Sequence, residues 1–314
     1  MTLYDELNAL DPGVAEAFLL NAFSPELSIF SARRIVDRVT ADKDLNLAES
    51  KALIHLMKNG QFEAGALEAM AARVHEKLQE FGKPLTGAEL EPVRRALSMR
   101  IVADIHFVSP LTSVPYTPEH YLSILKLIEK KRIKVTKIDM GIWPDMIGQD
   151  QGFYDLGPNH LYLLSGFTWQ QELNTIVHEV THAIQDWQDK VAVSQYMEAD
   201  AYLAAAVADY KLKIKPNAYA VGKPERVALE AVTRMLDAGQ KLAGRPLFNA
   251  LTAISTAFVN DPLTSGEANK KPRVERGSTE RADLQKEMAE VREFFAMFAK
   301  GLKKAFAALP AKSR

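Results

Sequence analysis

The sequence predicts an α+β protein that is mostly helical and contains a small sheet. Through most of the chain, apolar residues recur at the spacing of amphipathic helices. Between residues 132 and 164, short apolar segments are bounded by Gly, Pro and Asn, which is typical of strands. A small group of strands inside a helical chain is an α+β arrangement.

Composition and charge are those of an ordinary globular protein. The chain has 314 residues, 47% of them hydrophobic, which predicts two or three domains with a sizeable core. The 39 basic and 40 acidic residues give a formal net charge of −1, so no nucleic-acid partner is expected. The chain has no cysteine, which excludes disulfides and thiolate zinc ligands.

The N-terminal residues and the hydropathy pattern give limited information about the cellular location of the protein. Residues 1–6 lack the basic segment and apolar core of a Sec signal peptide. No apolar run approaches the length of a membrane span. The location stays unknown on this basis: the cytoplasm is favoured, and export without a leader is left open.

Three regions are predicted. Residues 1–97 form an N-terminal helical region, in which Ser24 caps a helix with Pro25 at its first position. Residues 98–215 form the central domain. Residues 216–314 form a C-terminal helical region with helices at 225–242, 247–259 and 280–309 and a mobile polar loop at 260–279.

The first half of the central domain contains the predicted strands. Its elements are a helix from 118 to about 131, a strand at 132–140, and a hairpin with strands at 153–156 and 160–164. Thr117 and Pro118 provide the helix start, and Gly157, Pro158 and Asn159 provide the hairpin turn. The segment 101–108 is apolar enough to be a strand or a helix end, and both alternatives stay open.

A helix from Thr168 organises the second half. Thr168 is a helix cap, with Gln171 in the capping-box position three residues later. No proline interrupts the segment, and an apolar stripe follows helical spacing. The stripe consists of Ile176, Val180, Ala183, Ile184 and Trp187.

This helix contains the pattern H-E-x-x-H at residues 178–182. Because His178 and His182 are four positions apart, both imidazoles project from one face of the helix. This spacing allows two neutral nitrogens to bind one Zn²⁺, with Glu179 as general base beside the open coordination position. The alternative, two ordinary histidines on an amphipathic helix, leaves the spacing and the intervening Glu unexplained.

A second helix, opened by Ser194, is expected to supply the third ligand. A short turn returns the chain antiparallel to the first helix and brings Glu198 near His182. Asp200 points roughly 200° away from Glu198 around the helix, so only one of them can face the metal easily. Glu198 is the predicted ligand, and Asp200 is the alternative ligand or a group that caps a helix or orients a histidine.

The segments 178–185 (HEVTHAIQ) and 198–202 (EADAY) together resemble the gluzincin metallopeptidases, and small bacterial members most. The resemblance covers about residues 100–212. It implies a zincin-like core of a small sheet, the H-E-x-x-H helix and the Glu helix, with one zinc ion per chain and a peptide or protein substrate. Many gluzincins have an acidic residue where this chain has Tyr202, and Asp186 is a candidate substitute beside the ligands.

The resemblance also assigns a role to the strand before the zinc helix. In gluzincins this strand is a sheet edge that pairs with an extended substrate, a form of β-augmentation. The corresponding residues are Leu161, Tyr162, Leu163 and Leu164. The alternative is a strand that is paired on both sides.

The expected chemistry is hydrolysis of a peptide bond. Zinc held by His178, His182 and Glu198 leaves one position for water, and Glu179 takes the proton of the attacking water. A further donor would stabilise the oxyanion. The candidate donors are Tyr196, Tyr202, Tyr210 and His160.

Two other function classes stay open. One is a zinc-stabilised binding or regulatory module that cleaves nothing, and the other is an all-helical interaction protein without metal. The C-terminal helix adds a further question, because its apolar face and its lysines suit a membrane or partner contact as well as packing on the protein.

Overall fold

The structure is a computed structural model that describes residues 82–138, 152–155, 159–189, 192–261 and 278–307. The predicted cap at Ser24, most of the N-terminal region and most of the loop at 260–279 lie outside the described residues. The chain divides into two compact units: residues 1–84, 136–151 and 164–166 form the first, and residues 85–135, 152–163 and 167–314 form the second. The predicted boundaries after residues 97 and 215 stay predictions.

Helices make up most of the described chain. They are α1 (Glu91–Ala96), α2 (Met99–Val102), α3 (Pro118–Glu129), α4 (Trp169–Trp187), α5 (Ser194–Lys211), α6 (Pro224–Asp237), α7 (Gly244–Asn260) and α8 (Ser278–Ala307). Two 3₁₀ turns occur at Gly87–Leu90 and Pro216–Ala218. The predicted helices of the central and C-terminal regions are thereby confirmed.

Six short strands accompany them in the part of the chain that the structure describes. They are β1 (Lys83–Pro84), β2 (Phe107–Val108), β3 (Pro115–Tyr116), β4 (Lys134–Ile138), β5 (Gly152–Asp155) and β6 (His160–Leu164). Strands β2 and β3 pair by themselves, and the other four form a sheet in the order β1-β4-β6-β5. The mostly helical α+β class is confirmed, and the strands contradict the all-helical fold of the metal-free alternative.

The four-stranded sheet is mixed. Strands β5 and β6 are antiparallel, with Tyr154 opposite Leu161, which confirms the predicted hairpin; residues 156–158 of its turn lie outside the described residues. Strands β1 and β4 are also antiparallel. Strands β4 and β6 run in the same direction, since Lys134 N donates to Asn159 O at one end and Ser165 N donates to Ile138 O at the other.

The predicted substrate edge is not an edge. Strand β6 lies between β4 and β5, and its residues Leu161, Tyr162, Leu163 and Leu164 are all buried. Both sides of its backbone therefore face neighbouring strands, so the prediction of a free edge here is wrong and the alternative of a strand paired on both sides is correct. The uninterrupted apolar run is typical of a strand that is covered on both faces.

The segment 101–108 contains both alternatives that its sequence left open. Helix α2 ends at Val102, and the chain becomes extended again at Phe107 in β2. In the β2–β3 ribbon Phe107 is opposite Tyr116, with the two ring centroids 4.8 Å apart. Tyr116 is fully buried in this position.

Helices α4 and α5 lie at the centre of the second unit. Helix α5 packs against α4, α6 and α7, and α4 also packs against β5. The predicted apolar stripe of α4 is buried throughout, and so are the α5 alanines at 199, 201, 204, 205, 206 and 208. Small side chains allow the neighbouring helices to approach α5 closely on several sides.

The C-terminal helix α8 packs on α3 through its first half. Leu284, Met288 and Val291 are buried, and Lys126 of α3 forms an ion pair with Glu290 at 3.2 Å. The expected packing on the protein is therefore confirmed up to Val291. Beyond it Phe294 and Met297 are 59% and 60% exposed. Among the described helices, none combines the length and apolar character that crossing a bilayer requires.

Candidate metal centre

Helix α4 begins as its sequence predicts. Thr168 Oγ1 accepts a hydrogen bond from Gln171 N, and Thr168 N donates to Gln171 Oε1 at 3.0 Å. This capping box satisfies amides that would otherwise have no partner at the helix start. The helix then continues to Trp187 with one side in the core, so that His178 and His182 lie on the opposite, half-buried side.

The chain reverses after α4 and returns as α5. Asp189, just beyond the end of α4, has a φ of 54°, a left-handed conformation that Asp tolerates better than most residues. Ser194 is the first residue of α5, and Val193 occupies the cap position predicted for Ser194. The prediction of the cap is wrong by one residue, but the helix and its return along α4 are as expected.

Three side chains converge between α4 and α5. His178 Nε2 lies 3.1 Å from Glu198 Oε2, His182 Nε2 lies 3.3 Å from Glu198 Oε1, and the two Nε2 atoms are 3.2 Å apart. Each residue can offer one ligand atom to a common metal ion. The structure thus brings together the three residues that the sequence singled out as ligands.

The geometry of this triad fits zinc. Bonds of about 2.0–2.1 Å in a tetrahedral arrangement separate ligand atoms by about 3.3 Å. The two histidine Nε2 atoms, 3.2 Å apart, are close to that value, and the two oxygens of Glu198 lie 3.1 Å from His178 Nε2 and 3.3 Å from His182 Nε2. Two imidazoles and one carboxylate are also a common donor set in catalytic zinc sites, where three protein ligands leave a fourth position open.

Two members of the triad, His182 and Glu198, have pKa values shifted in opposite directions. Burial disfavours the charged form of His182, but the charge and hydrogen bond of Glu198 outweigh it and raise the pKa of His182 to about 9. Burial likewise disfavours charged Glu198, but His182 and His178 hold the pKa of that carboxyl well below its usual range. Glu198 is therefore ionised at neutral pH and available as a ligand.

Glu179 faces a different neighbour from the adjacent His178. Its side chain is only 8% exposed, and its Oε2 accepts a hydrogen bond of 2.8 Å from Tyr154 N in strand β5. Consecutive helix residues project about 100° apart, which explains the separation. The backbone of β5 thus fixes the direction of the carboxylate, a contact that no local sequence pattern indicates.

Asp200 does not join the ligand cluster. As its helical position predicts, it points away from Glu198, and its Oδ2 accepts hydrogen bonds from Thr112 Oγ1 at 2.6 Å and Tyr116 Oη at 2.9 Å. Burial raises its pKa to about 6, against the effect of these donors. The alternative of Asp200 as a metal ligand is wrong.

The group that contacts the back of His182 was not predicted. Gln185 Oε1 lies 2.9 Å from His182 Nδ1, and Gln185 Nε2 donates to Tyr116 Oη and to Met197 O, both at 2.9 Å. The position of Gln185 three residues after His182, on the same side of α4, is a signal that the sequence contained. Tyr116, which accepts the hydrogen bond from Gln185, lies in β3, far from Gln185 in the sequence.

Asp186 has another role than the one expected. Its Oδ2 accepts a hydrogen bond of 3.0 Å from Tyr154 Oη, which also accepts from Trp187 Nε1 at 3.2 Å. Since His182 Nδ1 faces Gln185, the prediction that Asp186 substitutes for the usual acidic residue is wrong. Asp186 instead anchors Tyr154, whose backbone amide holds Glu179.

Of the four candidate oxyanion donors, Tyr202 is beside the triad. Its ring meets the ring of His178 edge-on, with the centroids 4.6 Å apart. It lies one turn after Glu198 on the same face of α5. Tyr196 is half-buried in the first turn of α5, and its role stays a prediction.

The other two candidates are wrong. Tyr210 is twelve residues beyond Glu198, about 18 Å along the helix, and its hydroxyl donates to Asp237 Oδ1 at 2.8 Å. The ring of His160 stacks on Tyr162 at 4.1 Å. Alternate residues of a strand face opposite sides, and Leu161 and Leu163 face the core that includes α4, so His160 faces away from the site.

Two further acids, buried Asp209 and half-buried Glu225, were not predicted. Asp209 is on the same face of α5 as Glu198 and Tyr202, and its Oδ2 accepts from Asn174 Nδ2 at 2.8 Å and Tyr219 Oη at 2.6 Å. Burial raises the pKa of Asp209 to about 7. Burial also raises the pKa of Glu225, against the charge of His178. The spacing of the three α5 residues was the available sequence signal.

Comparisons of the chain with protein-family models, with curated proteins and with solved structures found no match. The resemblance to gluzincins therefore rests on the two motif segments, and the chemistry of the site rests on the geometry of its own residues.

Proposed function

We propose that this protein is a zinc-dependent metallopeptidase of the gluzincin type, with a zincin-like core formed by the sheet, α4 and α5. His178, His182 and Glu198 hold one Zn²⁺, and Glu179 is the general base. The observation that carries the proposal is the convergence of the two histidine Nε2 atoms, 3.2 Å apart, on the Glu198 carboxylate, whose two oxygens lie 3.1 Å from His178 Nε2 and 3.3 Å from His182 Nε2. Three side chains from two helices thus lie close enough for one ion to bind all three.

Different residues have different roles in the proposed hydrolysis. Zinc bound at the triad supplies Lewis acidity to the substrate carbonyl and acidifies water. Glu179 accepts the proton of the attacking water and delivers it to the nitrogen of the leaving amine. The amide of Tyr154 holds Glu179 Oε2, so the carboxylate keeps one direction through both proton transfers.

Tyr202 is the donor that best suits the developing oxyanion. Its ring contacts His178, and the centroid of the Phe258 ring lies 6.4 Å from its own. A tyrosine fixed in this way on the same helix face as Glu198 loses little conformational freedom when its hydroxyl binds substrate. The substrate class is a peptide or protein, because amide hydrolysis is the reaction that this donor set and base support.

The test combines metal analysis with a peptide-library cleavage assay. Purified wild-type protein should contain about one zinc per chain and cleave peptides. Glu179→Gln should keep zinc and fold but lose at least about 100-fold in cleavage rate, the usual contribution of a general base. Glu172→Gln, in the first turn of the same helix, is the matched control and should cleave like the wild type.

A second function is favoured by one observation. Glu179 is 8% exposed and already accepts a backbone hydrogen bond, which also suits a carboxylate that stabilises a binding module around a structural zinc. Such a module would contain zinc and cleave no peptide in the library. Wild-type protein with full zinc occupancy and no cleavage would support it, whereas loss of cleavage specifically in Glu179→Gln would exclude it.

A further inference from the structure

The side of His182 that faces away from the triad is enclosed by polar groups from three elements. Gln185 comes from α4, Tyr116 from β3 and Asp200 from α5. All three are almost completely buried, with Gln185 1% exposed and the other two 0%. Hydrogen bonds in such a place have little competition from water, and leaving one unmade is costly.

The direction of each hydrogen bond in this group can be worked out. Met197 O is a carbonyl and can only accept, so the nitrogen of the Gln185 amide must be the atom that faces it. The oxygen of the same amide therefore faces His182 Nδ1. Because an amide oxygen can only accept, Nδ1 must carry the proton.

The protonation of Nδ1 determines the state of the other ring nitrogen. A neutral imidazole with its proton on Nδ1 has its lone pair on Nε2. His182 Nε2 is the atom that lies 3.3 Å from Glu198 and 3.2 Å from His178 Nε2. The hydrogen bond to Gln185 thus selects the tautomer that a metal ion at the triad requires.

Tyr116 and Asp200 hold the amide in that orientation. Tyr116 Oη accepts the second Nε2 hydrogen of Gln185 and donates its own hydrogen to Asp200 Oδ2. Thr112 Oγ1 donates to the same carboxylate oxygen. Reversing the Gln185 amide would place its oxygen against both the Met197 carbonyl and Tyr116, so the network permits one orientation.

We propose that Gln185 is the positioning residue for His182 and that Tyr116 and Asp200 form a relay that fixes it. The inference rests on the proposed function, because it takes His182 to be a zinc ligand. A neutral amide here orients the histidine without adding the negative charge that a carboxylate would place beside the metal. The relay also links the zinc site to β3, 69 positions before Gln185 in the chain.

The test measures zinc affinity of the full chain by competition with a chelator. Gln185→Met keeps the length and helix propensity of the side chain and removes its polar atoms. Its zinc affinity should fall about 10–100-fold, the usual effect of losing a group that orients a ligand. Tyr116→Phe keeps the buried ring and should lose about 2–10-fold, equivalent to one hydrogen bond.

Gln188→Met is the matched control. Gln188 ends the same helix and donates to Pro115 O in the same strand at 3.2 Å, so it anchors α4 to β3 without contacting a histidine. Its zinc affinity should equal that of the wild type. A second readout is the Nδ1 proton of His182 in the NMR spectrum of zinc-loaded protein, which should be present in wild type and control and shifted or lost in Gln185→Met.

The outcomes separate this inference from the function on which it rests. Wild-type protein that binds no zinc overturns both. Wild-type protein that binds zinc, together with Gln185→Met that binds it equally well and keeps the Nδ1 signal, overturns the relay alone. If Gln185→Met does not fold, Tyr116→Phe decides: affinity equal to that of Gln188→Met rejects the relay, and a selective loss supports it.

Discussion

His178 and Glu179 are adjacent in the chain, but they serve different neighbours. His178 faces Glu198 on α5, and Glu179 faces the amide of Tyr154 in β5. The same division applies on α5, where Glu198 faces the two histidines and Asp200 faces Tyr116. The angular spacing of helix residues separates ligands from the groups that support them, so neighbouring substitutions should have different effects.

Glu198 and Asp200, two carboxylates of α5, should show this difference most clearly. Glu198→Ala should abolish measurable zinc binding, because it removes one of three ligands. Asp200→Asn keeps the shape of the side chain and should lower zinc affinity by at most about 10-fold, since it acts through Tyr116 and Gln185. Chelator competition measures both. Zinc lost from Asp200→Asn but retained in Glu198→Ala would show that the third ligand is wrongly assigned.

Among the elements, α4 and α5 depend on each other most. Helix α4 carries two of the proposed ligands and the proposed base, and α5 carries the third proposed ligand and the tyrosine that packs on His178. The alanines of α5 allow α4, α6 and α7 to surround it. A ligand set divided between two closely packed helices is positioned by their packing, before any metal binds.

The C-terminal helix α8 has buried side chains up to Val291 and exposed ones at Phe294 and Met297. Met288 is 8% exposed and packs toward α3, whereas Met297 on the same helix is 60% exposed. Met288→Ala should lower the free energy of unfolding by about 2–5 kcal/mol, because it leaves a cavity in the core. Met297→Ala should change it by no more than about 0.5 kcal/mol.

Chemical denaturation of the two variants measures this difference. Both changes are Met→Ala in one helix, so helix propensity contributes equally to each. Equal stabilities would contradict the packing of α8 on α3. The exposed Phe294 and Met297 would then belong to a helix that is available along its whole length for a partner or an anionic membrane surface, which vesicle binding would test.

Across the whole molecule, local sequence patterns predicted the features that depend on neighbouring residues, such as helix starts and helix faces. Helical periodicity and the capping box at Thr168 identified α4, and the four-residue spacing placed both histidines on one face. Strand β6 was given the wrong position in the sheet, although its continuous apolar run indicated burial on both faces. The gluzincin resemblance implied a free edge strand, whereas the apolar run of β6 indicated a strand covered on both faces.

The contacts that the sequence did not predict join distant parts of the chain. Tyr116 meets Gln185, and the amide of Tyr154 meets Glu179, across separations of 69 and 25 positions. No periodicity links such residues, since their meeting depends on how strands and helices pack. The groups that contact the proposed ligands are therefore harder to predict than the proposed ligands themselves.

The stability of the whole protein should depend on pH through Asp209. This carboxyl is 1% exposed, and burial raises its pKa to about 7. In the unfolded chain its pKa is about 3.9. Between these values the folded protein binds more protons than the unfolded chain. The free energy of unfolding should therefore fall, through this group, as the pH rises from about 4 to about 7.

Asp209→Asn removes this titration while keeping an oxygen that can accept from Asn174 and Tyr219. Relative to the wild type, the variant should gain a few kcal/mol in free energy of unfolding between about pH 4 and about pH 8. Asp237→Asn is the matched control, because exposed Asp237 also accepts a tyrosine hydroxyl, that of Tyr210. Denaturant titrations at several pH values give the comparison. If Asp209→Asn and the wild type lose stability in parallel as the pH rises, Asp209 is not the group that burial keeps protonated.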